Sequence, residues 1–246
     1  MSSLSHAPAS ATPSSMRVEA RIAGALYWMV IAGGLFAGAV QDFLTVPADP
    51  AATAQAIAAH ESLWRYGIGV HLVYLAGPAI VMDVLLYRIF KQVQPTLALL
   101  ALVSALTAGA VEGAALLQLY VPLAVGESPE PLAALGEGQR QALAYLAIRF
   151  YDTGSGFALL FFSGFCAATG VLILRSRLLP RTIGVMMLLA GICYFVNSLA
   201  TIVTPALAGV LLPWILFLCF VGEASLATWL LVKGVVTDSR KTNSPW

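Results

Sequence analysis

Six long apolar stretches constrain this chain more than any other feature of its sequence. They lie near residues 22–43, 66–87, 96–121, 141–174, 183–204 and 211–235. A helix needs about 20 mostly apolar residues to cross the hydrocarbon core of a bilayer, and each stretch provides them. A backbone that faces lipid must satisfy its own amides, and no alternating strand pattern suggests a barrel. The sequence therefore predicts an all-α integral membrane bundle of six transmembrane helices.

The composition points the same way and excludes several classes of function. Hydrophobic residues make up 59% of the 246 residues and charged residues only 10%, whereas soluble domains average about half and about a quarter. The formal net charge of +1 gives no basic surface for nucleic acid. The three cysteines lie inside apolar runs without CxxC spacing, so we expect no disulfide framework and no thiolate metal site. The expected partner is the lipid bilayer, and no cofactor is indicated.

The positions of the basic residues predict the orientation of the chain. Ten of the 13 Lys and Arg residues lie before the first stretch, in the second and fourth connections, or at the end of the last stretch and beyond it. Because cytoplasmic segments collect Lys and Arg, both termini are predicted to be cytoplasmic, in a bacterial plasma membrane.

We divide the chain into a disordered tail (1–16) rich in Ser, Ala and Pro, a transmembrane domain (17–236) and a cytoplasmic tail (237–246). Residues 1–16 lack the pattern of a signal peptide.

Two local features refine this outline. Asp49 and Pro50 form a good N-cap and first-turn pair ahead of residues 51–59, which predicts a short helix on the outer surface. The fourth stretch of 34 residues would measure about 51 Å as a helix, so it must project outward, tilt or break. The two glycines in residues 153–156 favour a break there.

Several polar residues fall inside the apolar stretches, where they need a partner or a purpose. An ionisable group at mid-membrane costs about 2.5–3.5 kcal/mol on insertion scales. Counting residues along each stretch brings six of them to overlapping depths in the outer half. These candidate ligand-binding residues are His71, Glu112, Arg149, Asp152, Asn197 and Glu223.

The charges of this predicted cluster do not balance. The cluster contains three acids, Glu112, Asp152 and Glu223, and one base, Arg149, so its formal charge is minus two. Low-dielectric surroundings oppose such a charge, so either carboxyls are protonated or a cation or cationic ligand neutralises them. The sequence leaves the protonation of these carboxyls open.

Three interpretations of the cluster remain. In the first, Arg149 bridges carboxylates and protonated acids hydrogen-bond between helices, as polar groups in membrane proteins often do. In the second, an outward-facing pocket binds a proton, a cation or a small amphipathic ligand, as in a transporter or receptor. In the third, an intramembrane enzyme uses the carboxylates and His71 as acid, base or metal ligands. No HExxH, GxSxG or Gly-rich phosphate loop supports the enzyme, so the sequence does not favour catalysis and assigns no metal.

Asp83 lies outside this cluster because it is only five residues before Arg88. A carboxylate near the membrane surface is commonly paired with a basic side chain. We therefore expect Asp83 to pair with Arg175, Arg177 or Arg181 on the cytoplasmic side.

Several short segments together resemble a bacterial family of multi-pass membrane proteins known as domain of unknown function 4386. They are residues 21–27 (RIAGALY), 170–176 (GVLILRS), 179–184 (LPRTIG), 222–223 (GE) and 229–234 (WLLVKG). The resemblance covers most of residues 21–235, and the Arg-Ser…Leu-Pro-Arg turn is its most specific part. It implies a membrane location and a multi-helix architecture, without an activity.

A homo-oligomer or a structural subunit of a membrane complex also fits a six-span chain of this size, with Gly34 and Gly38 as a helix contact.

Overall fold

The computed structural model describes residues 13–127 and 134–235, and these ranges are helical apart from short connections. The helices are α1 (Pro13–Leu44), α2 (Pro50–Ala59), α3 (Glu61–Tyr74), α4 (Ile80–Phe90), α5 (Pro95–Leu116), α6 (Val121–Gly126), α7 (Glu137–Arg175), α8 (Arg181–Val203) and α9 (Pro205–Val232). A π-helical turn (Leu75–Ala79) containing Pro78 joins α3 to α4, and a 3-10 turn (Leu117–Tyr120) joins α5 to α6.

Among the described residues, six helical segments are long and apolar enough to cross a membrane. They are Ser14–Leu44, Glu61–Phe90, Pro95–Gly126, Glu137–Arg175, Arg181–Val203 and Trp214–Val232. The predicted all-α architecture with six spans is therefore confirmed. Helix α1 begins at Pro13, so residues 13–16 of the predicted disordered tail form its first turn. Residues 1–12 of that tail, and the predicted C-terminal tail (237–246), lie outside the described residues.

Helix α7 stands at the centre of the bundle, packed against α5 on one side and α8 on the other. Helix α9 packs on α8 and on α1, and α1 packs on α3 and α4. We call the end of the bundle that holds α2 the α2 end, and the opposite end, where α1 begins and α9 ends, the terminal end. A large apolar core fills the terminal half, and a smaller one around Trp64 fills the α2 end.

Glycines allow the closest helix contacts in the terminal half. A Cβ atom on Gly24 would lie 2.4 Å from the backbone nitrogen of Leu231, where α1 meets α9. One on Gly170 would lie 2.8 Å from the carbonyl oxygen of Gly184, where α7 meets α8. Such distances leave no room for a side chain, and small residues commonly let membrane helices approach. Gly24, Gly170 and Gly184 all belong to the segments that carry the family resemblance.

The predicted break in the fourth span is wrong, because α7 runs unbroken through residues 153–156. Neighbouring helices explain why its glycines stay helical. A Cβ on Gly154 would lie 2.6 Å from that of Ala115 on α5, and one on Gly156 would lie 3.3 Å from Cγ2 of Thr201 on α8. Packing at these two positions outweighs the low helix propensity of glycine. The extra length of α7 extends beyond the bundle core, where Tyr145 accepts a 2.8 Å hydrogen bond from the backbone of Ala48.

The short surface helix predicted after Asp49 is present as α2. The Asp49 carboxylate accepts a 2.9 Å hydrogen bond from the backbone N–H of Ala52, which is the N-cap contact that the sequence indicates. Thr53 and Ile57 are buried, and α2 packs against the projecting part of α7. It covers the α2 end of the bundle.

Candidate functional site

His71 and Glu112 face each other across the boundary between α3 and α5. Nε2 of His71 lies 3.1 Å from Oε1 of Glu112, and the two side chains are only 7% and 16% exposed. Within the described part of the chain, Nε2 has no aligned hydrogen-bond partner. The contact is therefore a close approach of two ionisable groups, which attract each other as an ion pair when His71 is protonated and Glu112 is ionised.

Two side chains of α7 complete the surroundings of Glu112. The Tyr151 hydroxyl donates to Oε1 at 3.1 Å, and the Ser155 hydroxyl lies 2.9 Å from both carboxylate oxygens. On the other side, the His71 ring stacks on Tyr74 with centroids 4.9 Å apart and meets Tyr151 edge-on at 6.1 Å. We call His71, Glu112, Tyr151 and Ser155 the α2-side cluster.

Arg149 and Asp152 form a second contact nearer the surface. Nη1 of Arg149 lies 3.0 Å from Oδ2 of Asp152, and the other Asp152 oxygen accepts a 2.8 Å hydrogen bond from Gln41 of α1. Gln41 also lines a cavity of about 10 Å³ that has His71 and Trp64 in its wall. Gln41 thus stands between the surface ion pair and the α2-side cluster.

Glu223 belongs to a different group of side chains. Its carboxylate accepts hydrogen bonds from Tyr27 of α1 at 3.0 Å and from Tyr194 of α8 at 2.5 Å. Along α1, Tyr27 precedes the cavity-lining residue Ala37 by ten residues, which corresponds to about 15 Å. The structure therefore divides the predicted outer cluster in two, with Glu223 nearer the middle of the bundle. Counting residues from the ends of apolar stretches was too coarse to separate these depths.

Asn197 is buried on α8, one turn beyond Tyr194 toward the α2 end. It is 2% exposed, and the adjacent Ser198 is fully buried. Neither Oδ1 of Asn197 nor the Ser198 hydroxyl oxygen has a hydrogen-bond partner among the described residues. No side-chain hydrogen bond joins Asn197 to Glu112 or Glu223 in that part of the chain.

The expected pairing of Asp83 is wrong. Asp83 is 6% exposed, and no basic side chain in the described ranges lies within 4 Å of its carboxylate. Arg175 instead donates to the side chain of Gln94, while Arg177 and Arg181 are exposed. Asp83 is turned into the bundle toward α5 and α7, away from the surface where these arginines lie.

Sequence analysis did not assign the partners of the acids as site residues. Gln41, Tyr151, Ser155 and Tyr27 each hydrogen-bond a predicted acid from another helix. Tyr194 of α8 likewise donates a hydrogen bond to Glu223. A polar residue inside an apolar stretch is a usable signal, but pairing it with an acid requires the helix packing.

The chemical capacity of these groups is limited. Within residues 13–127 and 134–235, no three His, Cys, Asp or Glu side chains are grouped closely enough to hold a metal ion. The α2-side cluster contains one acid and one imidazole, which can exchange a proton between them. Arg149 balances Asp152, whereas Glu112 is balanced only when a proton resides on His71 or on Glu112 itself.

Comparison with known proteins identifies the family and no activity. No curated protein and no solved structure matches the chain significantly. The family described as Domain of unknown function (DUF4386) matches residues 22–234, which contain five of the six spans whole and residues 22–44 of the first. This match confirms the resemblance carried by the short segments. The chain therefore belongs to the DUF4386 family and is a polytopic membrane protein.

Proposed function

We propose that the α2-side cluster is a proton-binding site that opens to the outside of the bacterial plasma membrane. The observation that carries this proposal is the charge balance. Asp152 has Arg149 as its counterion at 3.0 Å, whereas the nearest basic group to Glu112 is His71 at 3.1 Å. Histidine is the side chain whose charge changes near neutral pH. The cluster is electrically neutral only when it holds one added proton.

The size of the adjacent cavity favours a proton over a larger ligand. The cavity beside His71 measures about 10 Å³, which is the space of about one water molecule. Small organic ligands occupy pockets of about 300 Å³ or more. A hard metal cation would require six or more oxygen ligands, whereas the side-chain oxygens described at this site, from Glu112, Tyr151, Ser155 and Gln41, number five. A proton, accompanied by a single water, is the ligand that fits.

Side-chain exposure indicates the route by which the proton arrives. It falls from 62% at Arg149 and 37% at Asp152 to 16% at Glu112 and 7% at His71. Gln41 contacts Asp152 and lines the His71 cavity, so it connects the exposed ion pair to the buried cluster. Side-chain exposure therefore decreases from the α2 end inward, and the distribution of Lys and Arg predicts that this end faces the outside.

The functional conclusion is a membrane protein that responds to the external proton concentration, as a proton-coupled transporter or a pH-sensing receptor does. Proton relays of His and acidic residues are common in membrane proteins of these classes. No described feature favours the enzyme. A purely structural role for the cluster differs from the proposal in one measurable respect, because it requires no proton exchange.

The test is the pH dependence of thermal unfolding of the purified protein in detergent micelles. A fold that binds a proton at this site is stabilised as the proton concentration rises. We expect the wild-type Tm to be higher at pH 6 than at pH 8, and His71→Gln and Glu112→Gln to make that difference smaller. His60→Gln is the matched control, because His60 lies at the same end of the bundle and is exposed.

A second series in the same assay separates the proton from the other ligands. Na⁺, K⁺, Ca²⁺ and a lipid-like amine are added at fixed pH, and none should raise the Tm in a manner that depends on Glu112. The proposal is overturned if His71→Gln and Glu112→Gln keep the wild-type pH dependence. A Glu112-dependent shift with one of the added cations would replace the proton with that cation.

A further inference from the structure

Asp83 is a buried acid that the proposed function does not use. It lies on α4, twelve residues after His71 in the same span, a distance of about 18 Å along the helix axis. It is also five residues, or about 7.5 Å, from Arg88 at the terminal end. Asp83 and the α2-side cluster therefore occupy opposite halves of the bundle.

The surroundings of Asp83 leave its carboxyl group incompletely satisfied. Its side chain is 6% exposed, and Oδ1 has no hydrogen-bond partner among the residues described. The carboxyl borders a cavity of about 10 Å³, whose remaining lining residues come from α4, α5 and α7. Apart from Asp83, only Tyr87 and Thr169 in that lining have polar side chains. An ionised carboxylate left in such a place would be strongly unfavourable.

The ionisable groups on the neighbouring helices are engaged elsewhere. The cavity-lining residues of α5 and α7 include no ionisable side chain. On α4, Tyr87 lies beneath Lys91, whose Nζ is 5.9 Å from the ring centroid. Other ionisable groups on these helices and at the terminal end have partners of their own. The pairs are Arg88 with Glu19, Arg21 with the Val232 carbonyl, Tyr27 with Glu223, and Arg175 with Gln94. Arg17 lies against Gly234, and Cys166 is buried next to Phe165 on α7.

We propose that Asp83 is a second proton-binding site, in which the carboxyl group carries a proton and one water fills the adjoining cavity. A proton removes the charge that the apolar walls oppose, and a cavity of this size holds about one water. A metal cation does not fit, because Asp83, Tyr87 and Thr169 are the sole sources of side-chain oxygen in the lining. The inference does not depend on the α2-side cluster. Together, the two sites place a protonatable group in each half of the membrane.

Infrared spectroscopy of the full chain in lipid vesicles tests the proposal directly, because a protonated carboxyl group has a carbonyl band that a carboxylate lacks. At pH 7 we expect such a band in the wild type, and we expect it to shift when aspartate is labelled with ¹³C at its carboxyl carbon. Asp83→Asn should remove it. Asp152→Asn, which changes another aspartate within a span, should keep it, and so should His71→Gln.

The labelled wild type and labelled Asp152→Asn decide the matter even if Asp83→Asn fails to fold. A band that responds to the aspartate label and persists in Asp152→Asn supports the proposal, because the remaining aspartates, 42, 49 and 238, lie outside the apolar stretches or at their edge. The proposal is overturned if the wild type shows no label-sensitive band, or if the band survives Asp83→Asn. Loss of the band in His71→Gln would contradict the independence of the two sites.

Discussion

Nε2 of His71 and Oε1 of Glu112 lie 3.1 Å apart in the interior of a bundle whose helices are apolar enough to span a membrane. The two residues are 41 positions apart in the sequence and come from different spans. Ser155 contacts both oxygens of Glu112, so the carboxylate is fixed in position while the imidazole approaches it from the other side. Helix packing thus brings together two polar residues that are far apart in the sequence.

The Glu223 group gives a prediction about stability. Tyr27→Phe and Tyr194→Phe each remove a hydrogen bond to a buried carboxyl group, and we expect each to lower the free energy of unfolding by about 1–3 kcal/mol. Adding Glu223→Leu to the double Tyr variant should recover part of the loss, because no polar group is then left without a partner. Thermal unfolding in micelles measures these changes as a mutant cycle. A triple variant less stable than the double variant would contradict this account of the group.

Close helix packing gives a second prediction, with a matched pair of glycines on α1. Gly24→Ala should sharply reduce the folded yield and Tm, because its Cβ would lie 2.4 Å from the backbone nitrogen of Leu231. Gly38→Ala should leave both unchanged or slightly raised, because no atom of another helix lies within 4 Å of its Cβ position and alanine favours helix. Size-exclusion profiles and melting curves check both variants. Equal effects at the two positions would show that the α1–α9 contact is not as close as described.

These glycines also show how much the sequence could predict. The six spans follow from the length and apolarity of the stretches, and the N-cap of α2 follows from Asp49 and Pro50, since both are local properties. The continuity of α7 through Gly154 and Gly156 was not predictable locally, because α5 and α8 stabilise it through packing. The division of the predicted cluster has the same cause, since hydrogen bonds across helices, such as that of Tyr194 to Glu223, depend on the packing of whole spans.

The surface ion pair gives a third prediction. The Arg149 side chain is 62% exposed, so Arg149→Ala should cost less than about 1 kcal/mol, as exposed ion pairs generally do. Gln41→Leu should cost more, about 1–3 kcal/mol, because it removes the partly buried hydrogen-bond donor to Asp152. Melting curves of the two variants give the comparison. A larger loss for Arg149→Ala would mean that the guanidinium is essential to the fold.

The orientation of the chain gives a fourth prediction. A variant with the three native cysteines replaced by serine receives one new cysteine, either Gln55→Cys on α2 or Arg177→Cys between α7 and α8. A thiol reagent that cannot cross membranes should label Gln55→Cys in intact cells, and Arg177→Cys only after the cells are opened, because Lys and Arg collect on the cytoplasmic side. The reverse pattern would invert the predicted topology and place the α2-side cluster on the cytoplasmic side.

The central claim is that His71 binds a proton beside Glu112, and imidazole ¹⁵N NMR measures it most directly. The sample is the protein in micelles with ¹⁵N-labelled histidine and with His6→Gln and His60→Gln, which leave His71 as the sole histidine of the 246-residue sequence. We predict that lowering the pH from 8 to 6 moves the His71 nitrogen signals toward those of the charged imidazolium, and that Glu112→Gln weakens this change because the neighbouring negative charge is lost. Signals that are the same at pH 8 and pH 6, or a change that Glu112→Gln leaves intact, would contradict the claim.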